Sequence, residues 1–153
     1  MTLPPRGLVL ALACALAACS SGEPPPSRAA PPALAGPAEI NRLIAQYAAS
    51  YEVPEDLVHR VVVRESRYDP AARNGPYWGL MQIHPQTART MGFRGEPAEL
   101  LDAETNLRYA VRYLRGAWLV SGGDRDAAVM WYARGYYYEA KRLGLLEETG
   151  LRG

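Results

Sequence analysis

Glu65 stands where an apolar helical stripe gives way to an aromatic loop, and a carboxyl group in that setting can act as a proton donor. It follows Val61 by four residues and Val62 by three. On a helix those spacings share a face, so Glu65 projects beside the stripe rather than from the solvent side. Residues 66–83 follow at once and carry Tyr68, Tyr77 and Trp78. A carboxyl beside apolar and aromatic walls loses hydration when charged, so its pKa rises and the protonated form persists toward neutral pH. Cleavage of a glycosidic bond needs such an acid, because the departing oxygen leaves poorly until it is protonated. Spacing alone also fits a glutamate that simply reaches water at a helix end, which is the commoner situation.

Other chemistry-bearing residues are less pointed. His59 and His84 lie apart and share no metal-ligand spacing with Asp or Glu, so no metal site is expected. Asp69 precedes Pro70 and reads as a turn residue, with a role as second carboxylate the weaker alternative. Trp118 and Trp131 sit at helical spacing that suits a core. Lys141-Arg142 complements the dipole of a helix C-terminus.

The elements that must position Glu65 read as helices. Ile40, Leu43, Ile44, Tyr47 and Ala48 form one stripe, and Leu57, Val58, Val61 and Val62 form a second after Pro54. Asp69-Pro70, Asn74-Gly75-Pro76 and Gly79 make residues 66–83 a loop. A short helix is expected over Pro85–Met91. A long one, capped by Asp102 or Thr105, runs through Trp118 with Leu107, Val111 and Leu114 on its apolar face. Gly122-Gly123 ends it, Asp124 caps a helix over Arg125–Ala133, and a last helix ends near Gly144. No alternating strand run is evident, so the expected class is all-α.

The N-terminal segment has a different character. Arg6 precedes the apolar run Gly7–Ala18, which is too short for the roughly 20 residues that span a bilayer. It reads as a secretory signal peptide. Leu16-Ala17-Ala18-Cys19 resembles the lipobox of bacterial lipoprotein signals, in which the cysteine is lipidated and becomes the new N-terminus. Ala11-Leu12-Ala13-Cys14 matches less well. Ser20, rather than aspartate, after Cys19 favours the outer membrane. Residues 20–37 hold six prolines and no apolar periodicity, as in an extended tether. The expected organisation is therefore a signal peptide over 1–18, a tether over 19–37 and one domain over 38–153. Such a protein would be periplasmic and lipid-anchored. The processed chain would keep no cysteine pair, hence no internal disulfide. The formal net charge is +1, and beyond residue 38 acidic and basic residues balance, which gives no footprint of a nucleic-acid binder.

Four blocks in order resemble the soluble lytic transglycosylase (SLT) family, which is related to goose-type lysozyme. Glu65-Ser66-Arg67-Tyr68-Asp69-Pro70 is similar to its Glu-Ser-x-x-Asn/Asp-Pro signature. Gly79-Leu80-Met81-Gln82-Ile83-His84-Pro85-Gln86-Thr87-Ala88 is similar to its Gly-Leu-Met-Gln-x-x-Pro-x-Thr-Ala block. Asp102 and Asn106 fall in a segment like the one before the family's long helix, and Tyr132-Ala133-Arg134-Gly135 stands where Tyr-Asn-Ala-Gly is usual. The resemblance covers about residues 40–144 and implies a lysozyme-like, all-α catalytic domain.

It further implies a lytic transglycosylase acting on peptidoglycan glycan strands without a cofactor. Glu65 would be the single acid/base and Ser66 would fix the start of the active-site loop. Met81 would form the apolar floor, and Gln82 and Tyr132 would hydrogen-bond the sugar. Asn74 would stand near the N-acetyl group, in a loop slightly shorter than the family's. The sequence departs from the pattern twice. Pro76-Tyr77-Trp78 replaces small residues at the cleft wall, and Ala133-Arg134 replaces Asn-Ala. Arg134 would meet an anionic peptide stem or face solvent. The alternatives to a transglycosylase are a muramidase that admits water and a non-catalytic peptidoglycan-binding lipoprotein. Envelope-spanning machinery is a further possible partner.

Overall fold

The structure, a computed structural model, describes residues 38–152. The signal peptide, Cys19 and the tether lie outside the described residues. Helix α1 (Ala38–Ser50) buries Ile40, Leu43, Ile44, Tyr47 and Ala48, the stripe its sequence spells out. Pro54 precedes α2 (Glu55–Ser66), whose Leu57, Val58, Val61 and Val62 are all fully buried. Full burial of such side chains stabilises by roughly 1.5–3 kcal/mol each, before conformational entropy is subtracted.

Helix α2 stops because the chain turns left-handed at two successive non-glycine residues, Arg67 (φ 52°) and Tyr68 (φ 68°). The Arg67 amide donates back to the Val62 and Val63 carbonyls and closes the helix end. The segment that follows was expected to be loop throughout. It contains a small antiparallel hairpin, β1 (Arg73–Asn74) and β2 (Tyr77–Trp78), with Arg73 opposite Trp78 and Asn74 opposite Tyr77. Two-residue strands are too short to display alternation, so only the Gly75-Pro76 turn was visible in the sequence. Gly75 has φ +57°, and proline holds φ negative after it, the signs that a type II′ turn requires. The Arg73 guanidinium stacks 3.5 Å above the Trp78 ring and fastens the hairpin across its two strands.

The remaining helices are α3 (Pro85–Thr90), α4 (Ala103–Val120), α5 (Arg125–Arg134) and α6 (Tyr137–Leu143), with a 3₁₀ turn at Pro97–Leu101. The α4 cap is Asp102, whose Oδ1 accepts from the Thr105 amide at 2.8 Å, and Asp124 caps α5 in the same way at 2.7 Å. Each such cap stabilises its helix by about 1 kcal/mol. Helix α4 is the hub: it packs against α1, α3, α5, α6 and the 3₁₀ turn, and its Leu107, Ala110, Val111, Leu114 and Ala117 are fully buried. Gly116 lies inside α4, where glycine costs about 1 kcal/mol relative to alanine. Its reason is close packing, since a Cβ there would collide with the Tyr136 ring. Trp118 and Trp131 pack against the core but remain half-buried.

Candidate active site

Glu65 occupies the last turn of α2, and about a quarter of its side chain is exposed. Burial raises its carboxyl pKa above the usual glutamate value, and the neighbouring Arg64 guanidinium opposes that rise. The Arg64 Nε lies 3.5 Å from Glu65 Oε1. The carboxyl opens into a cavity of about 380 Å³ lined by Arg64, Asn74, Tyr77, Gln82, Tyr132 and Ala133. That size falls in the range of small-molecule sites, about 300–1,000 Å³. The aromatic walls beside Glu65 are thus Tyr77 and Tyr132. Tyr68 and Trp78, read from sequence as part of that wall, face elsewhere. Tyr68 is buried with its hydroxyl 2.9 Å from His59 Nδ1, and Trp78 lies under Arg73.

The cavity floor is a tightly tied loop. Gly79 takes φ +71°, and a Cβ there would collide with the Leu100 carbonyl and the Asn106 amide. Asn106 is fully buried on α4 and makes three hydrogen bonds. Its Oδ1 accepts from the Met81 amide at 3.0 Å, and its Nδ2 donates to the Trp78 and Leu100 carbonyls at 2.8 Å each. From the opposite side, the Tyr132 hydroxyl donates to the Met81 carbonyl at 2.8 Å. Burial and the nearby Glu65 both push the Tyr132 phenol well above its ordinary pKa, so it keeps this proton. Gln82, at φ 47°, carries its Nε2 inward to the Ala72 and Gly79 carbonyls, at 3.0 and 2.9 Å. Both amide hydrogens are engaged, so Oε1 is the group left to accept from a ligand.

Of the residues expected at the site, Glu65, Asn74, Gln82 and Tyr132 line this one cavity. Met81 is fully buried beneath it and contributes its backbone. Ser66 sits behind it, and its hydroxyl donates to the Val62 carbonyl at 3.2 Å, within the last turn of α2. Asp69 accepts from the Ala71 amide at 2.9 Å and does not line the cavity. Among the described residues, Glu65 is the carboxylate that lines the cavity, without a second. Among those residues, no group of three or more His, Cys, Asp or Glu is placed to hold a metal ion. Sequence reasoning gave Asn106 no role. Its signal was a neutral amide in register with buried Ala110 and Leu114 on the apolar face of α4, which marks a hydrogen-bonding post inside a core. Arg64 was missed because adjacency in sequence alone does not bring two helical side chains together.

A second cavity of about 240 Å³ adjoins the first and shares Tyr77, Gln82, Tyr132 and Ala133 with it. Arg134 lines this second cavity and is itself exposed.

Comparison with known proteins gives this arrangement a family. The family described as "Transglycosylase SLT domain" matches residues 42–144. The soluble lytic murein transglycosylase of Escherichia coli (strain K12) is 31% identical over 97 residues, 58% of this chain and 15% of that protein. The membrane-bound lytic murein transglycosylase E of Buchnera aphidicola is 37% identical over 82 residues, 48% of this chain and 37% of that protein. The chain therefore spans well under half the length of either relative. The crystal structure of the 70 kDa soluble lytic transglycosylase of Escherichia coli superposes with a TM-score of 0.59 at 28% identity, covering 71% of this chain and 19% of that one. The described helices thus take up the lysozyme-like fold of that enzyme's SLT domain, and this chain belongs to the transglycosylase SLT domain family.

Proposed function

We propose that this protein is a peptidoglycan lytic transglycosylase that cleaves the β-1,4 bond between MurNAc and GlcNAc and leaves a 1,6-anhydro-MurNAc end, with Glu65 as its single acid and base. The observation that carries this reading is a largely buried carboxyl with a raised pKa in a cavity lined, among the described residues, by no second carboxylate. A lysozyme-type reaction divides its labour between two carboxylates. With one, the same group must give a proton and later take one back, which calls for a pKa near the working pH.

The steps balance without water. Protonated Glu65 donates to the glycosidic oxygen, the bond from that oxygen to the MurNAc anomeric carbon breaks, and GlcNAc departs with a hydroxyl. Positive charge at the anomeric carbon is met by the N-acetyl oxygen of the sugar. The C6 hydroxyl then attacks that carbon, and its proton passes to the Glu65 carboxylate, which regenerates the acid. Gln82 Oε1 is available to accept from a sugar hydroxyl or amide, and Asn74 lines the same cavity. Tyr132 and Asn106 hold the Met81 backbone in register from either side.

The test is mass spectrometry of strands released from purified sacculi. Anhydro ends support the proposal, and reducing MurNAc ends would mean that water attacks instead. Glu65→Gln should lower turnover on the order of 10³-fold, within the range for loss of a general acid–base group. Sacculus binding with undiminished turnover in that variant would overturn the assignment of Glu65. We place the protein in the periplasm, anchored through lipid on Cys19, on the strength of the lipobox-like Leu16-Ala17-Ala18-Cys19.

A further inference from the structure

The lining of the cavity that adjoins the catalytic one includes Arg134, His84 and Thr87 and, among the described residues, no Asp or Glu. Arg134 extends from the last residue of α5. It makes no ion pair with a described residue; its Nη1 donates to the Met130 sulfur at 3.7 Å, and its Nε and Nη2 make no hydrogen bond to a described residue. Its neighbours on the chain's other basic surfaces behave differently: Arg60, Arg125 and Arg142 each hold a carboxylate within 2.8 Å. His84 faces the same cavity. Its Nδ1 accepts from the Gln86 amide at 3.0 Å, so Nε2 is the nitrogen that carries a hydrogen. Thr87 lines the cavity from the next turn with a hydroxyl that makes no hydrogen bond to a described residue. Tyr77 packs edge-on against the His84 ring at 5.9 Å and holds it in place.

Arg134, His84 and Thr87 line one cavity whose described lining holds no Asp or Glu, and a guanidinium, an imidazole N–H and a hydroxyl are donors suited to a planar anion. Resting on the transglycosylase reading above, we infer that Arg134, His84 and Thr87 form a carboxylate-binding subsite that grips an anion carried on the lactyl substituent of muramic acid. The shared walls Tyr77, Gln82, Tyr132 and Ala133 put this subsite against the sugar undergoing cleavage. Muramic acid offers such a group in two forms. On peptide-bearing strands the carboxylates belong to the stem peptide, and on stripped strands the lactyl carboxylate itself is free. Arg134 is then a specificity-determining residue that lets the enzyme distinguish strands bearing that carboxylate from strands in which it is neutralised.

The experiment measures kcat/KM of the full-length protein and of Arg134→Gln and Arg134→Lys on two substrate pairs. One pair is peptide-bearing strands before and after amidation of their carboxylates. The other is amidase-stripped strands before and after the same treatment. The readout is the preference for native over amidated strands within each pair. Arg134→Gln should reduce that preference roughly three- to tenfold in one pair, as expected for loss of an exposed charge-assisted contact. Arg134→Lys should fall between the two, because it keeps the charge and loses the fork. A drop in the peptide-bearing pair assigns the stem carboxylate, and a drop in the stripped pair assigns the lactyl group. An unchanged preference in both pairs overturns the inference even if overall turnover falls. A wild-type protein that releases no product from any strand, or a Glu65→Gln variant as active as wild type, would instead overturn the underlying transglycosylase reading.

Discussion

Two opposing influences set the proton on Glu65. Burial between Tyr77, Tyr132 and the apolar face of α2 disfavours the carboxylate, and the adjacent Arg64 favours it. The first is the larger, so the acid form extends to higher pH than in an ordinary glutamate. The sign of the pH response follows. If catalysis starts from protonated Glu65, kcat/KM falls as pH rises through its raised pKa. Arg64→Gln removes the influence that lowers that pKa, so the falling limb should move to higher pH. A pH–rate profile of the variant checks this, and a shift to lower pH would show that Arg64 does not act on Glu65 through charge. Arg64 is about half exposed, so screening keeps the displacement modest and salt should shrink it further.

At the level of elements, the site depends on α4 although no α4 residue lines the catalytic cavity. Asn106 ties three backbone groups of the floor to that helix. Truncation to alanine would leave the Met81 amide and the Trp78 and Leu100 carbonyls without this partner inside the core. Asn106→Ala should therefore destabilise the fold by roughly 2–4 kcal/mol, read from the midpoint of urea unfolding. It should also reduce turnover more than its distance from Glu65 suggests. The same scale explains what could be read in advance. The stripes of α1 and α2 and the Asp124 cap of α5 were legible because each is a local pattern with period or position fixed by helix geometry. The hairpin at Arg73–Trp78 and the left-handed Arg67, Tyr68 and Gln82 were not. Nothing in the residue types of Arg67, Tyr68 and Gln82 demands a positive φ, a conformation disfavoured for side chains with a Cβ; it accompanies the bonds that close the end of α2 and those that tie Gln82 to the Ala72 and Gly79 carbonyls.

For the molecule as a whole, the proposed lipid anchor predicts where the protein resides. Cys19→Ala in the full-length chain should move it from the membrane pellet to the soluble periplasmic fraction and abolish incorporation of labelled palmitate. Retention in the pellet would remove the anchor from the proposal. Among the described residues no helix is long and apolar enough to cross a membrane. The sequence by itself determined the helical class, the order of the helices and the position of Glu65 at a helix end, because these follow from short-range spacing and from motif blocks in fixed order. Tertiary structure decided which residues meet. It brought Tyr77 and Tyr132, far apart in sequence, to the same carboxyl, and it turned Tyr68 and Trp78 away from it. It committed the Tyr132 hydroxyl to the Met81 carbonyl and gave Arg134 a cavity to face. Those outcomes depend on long-range packing around α4, where burial and hydrogen-bond satisfaction select one arrangement from many that the local pattern allows.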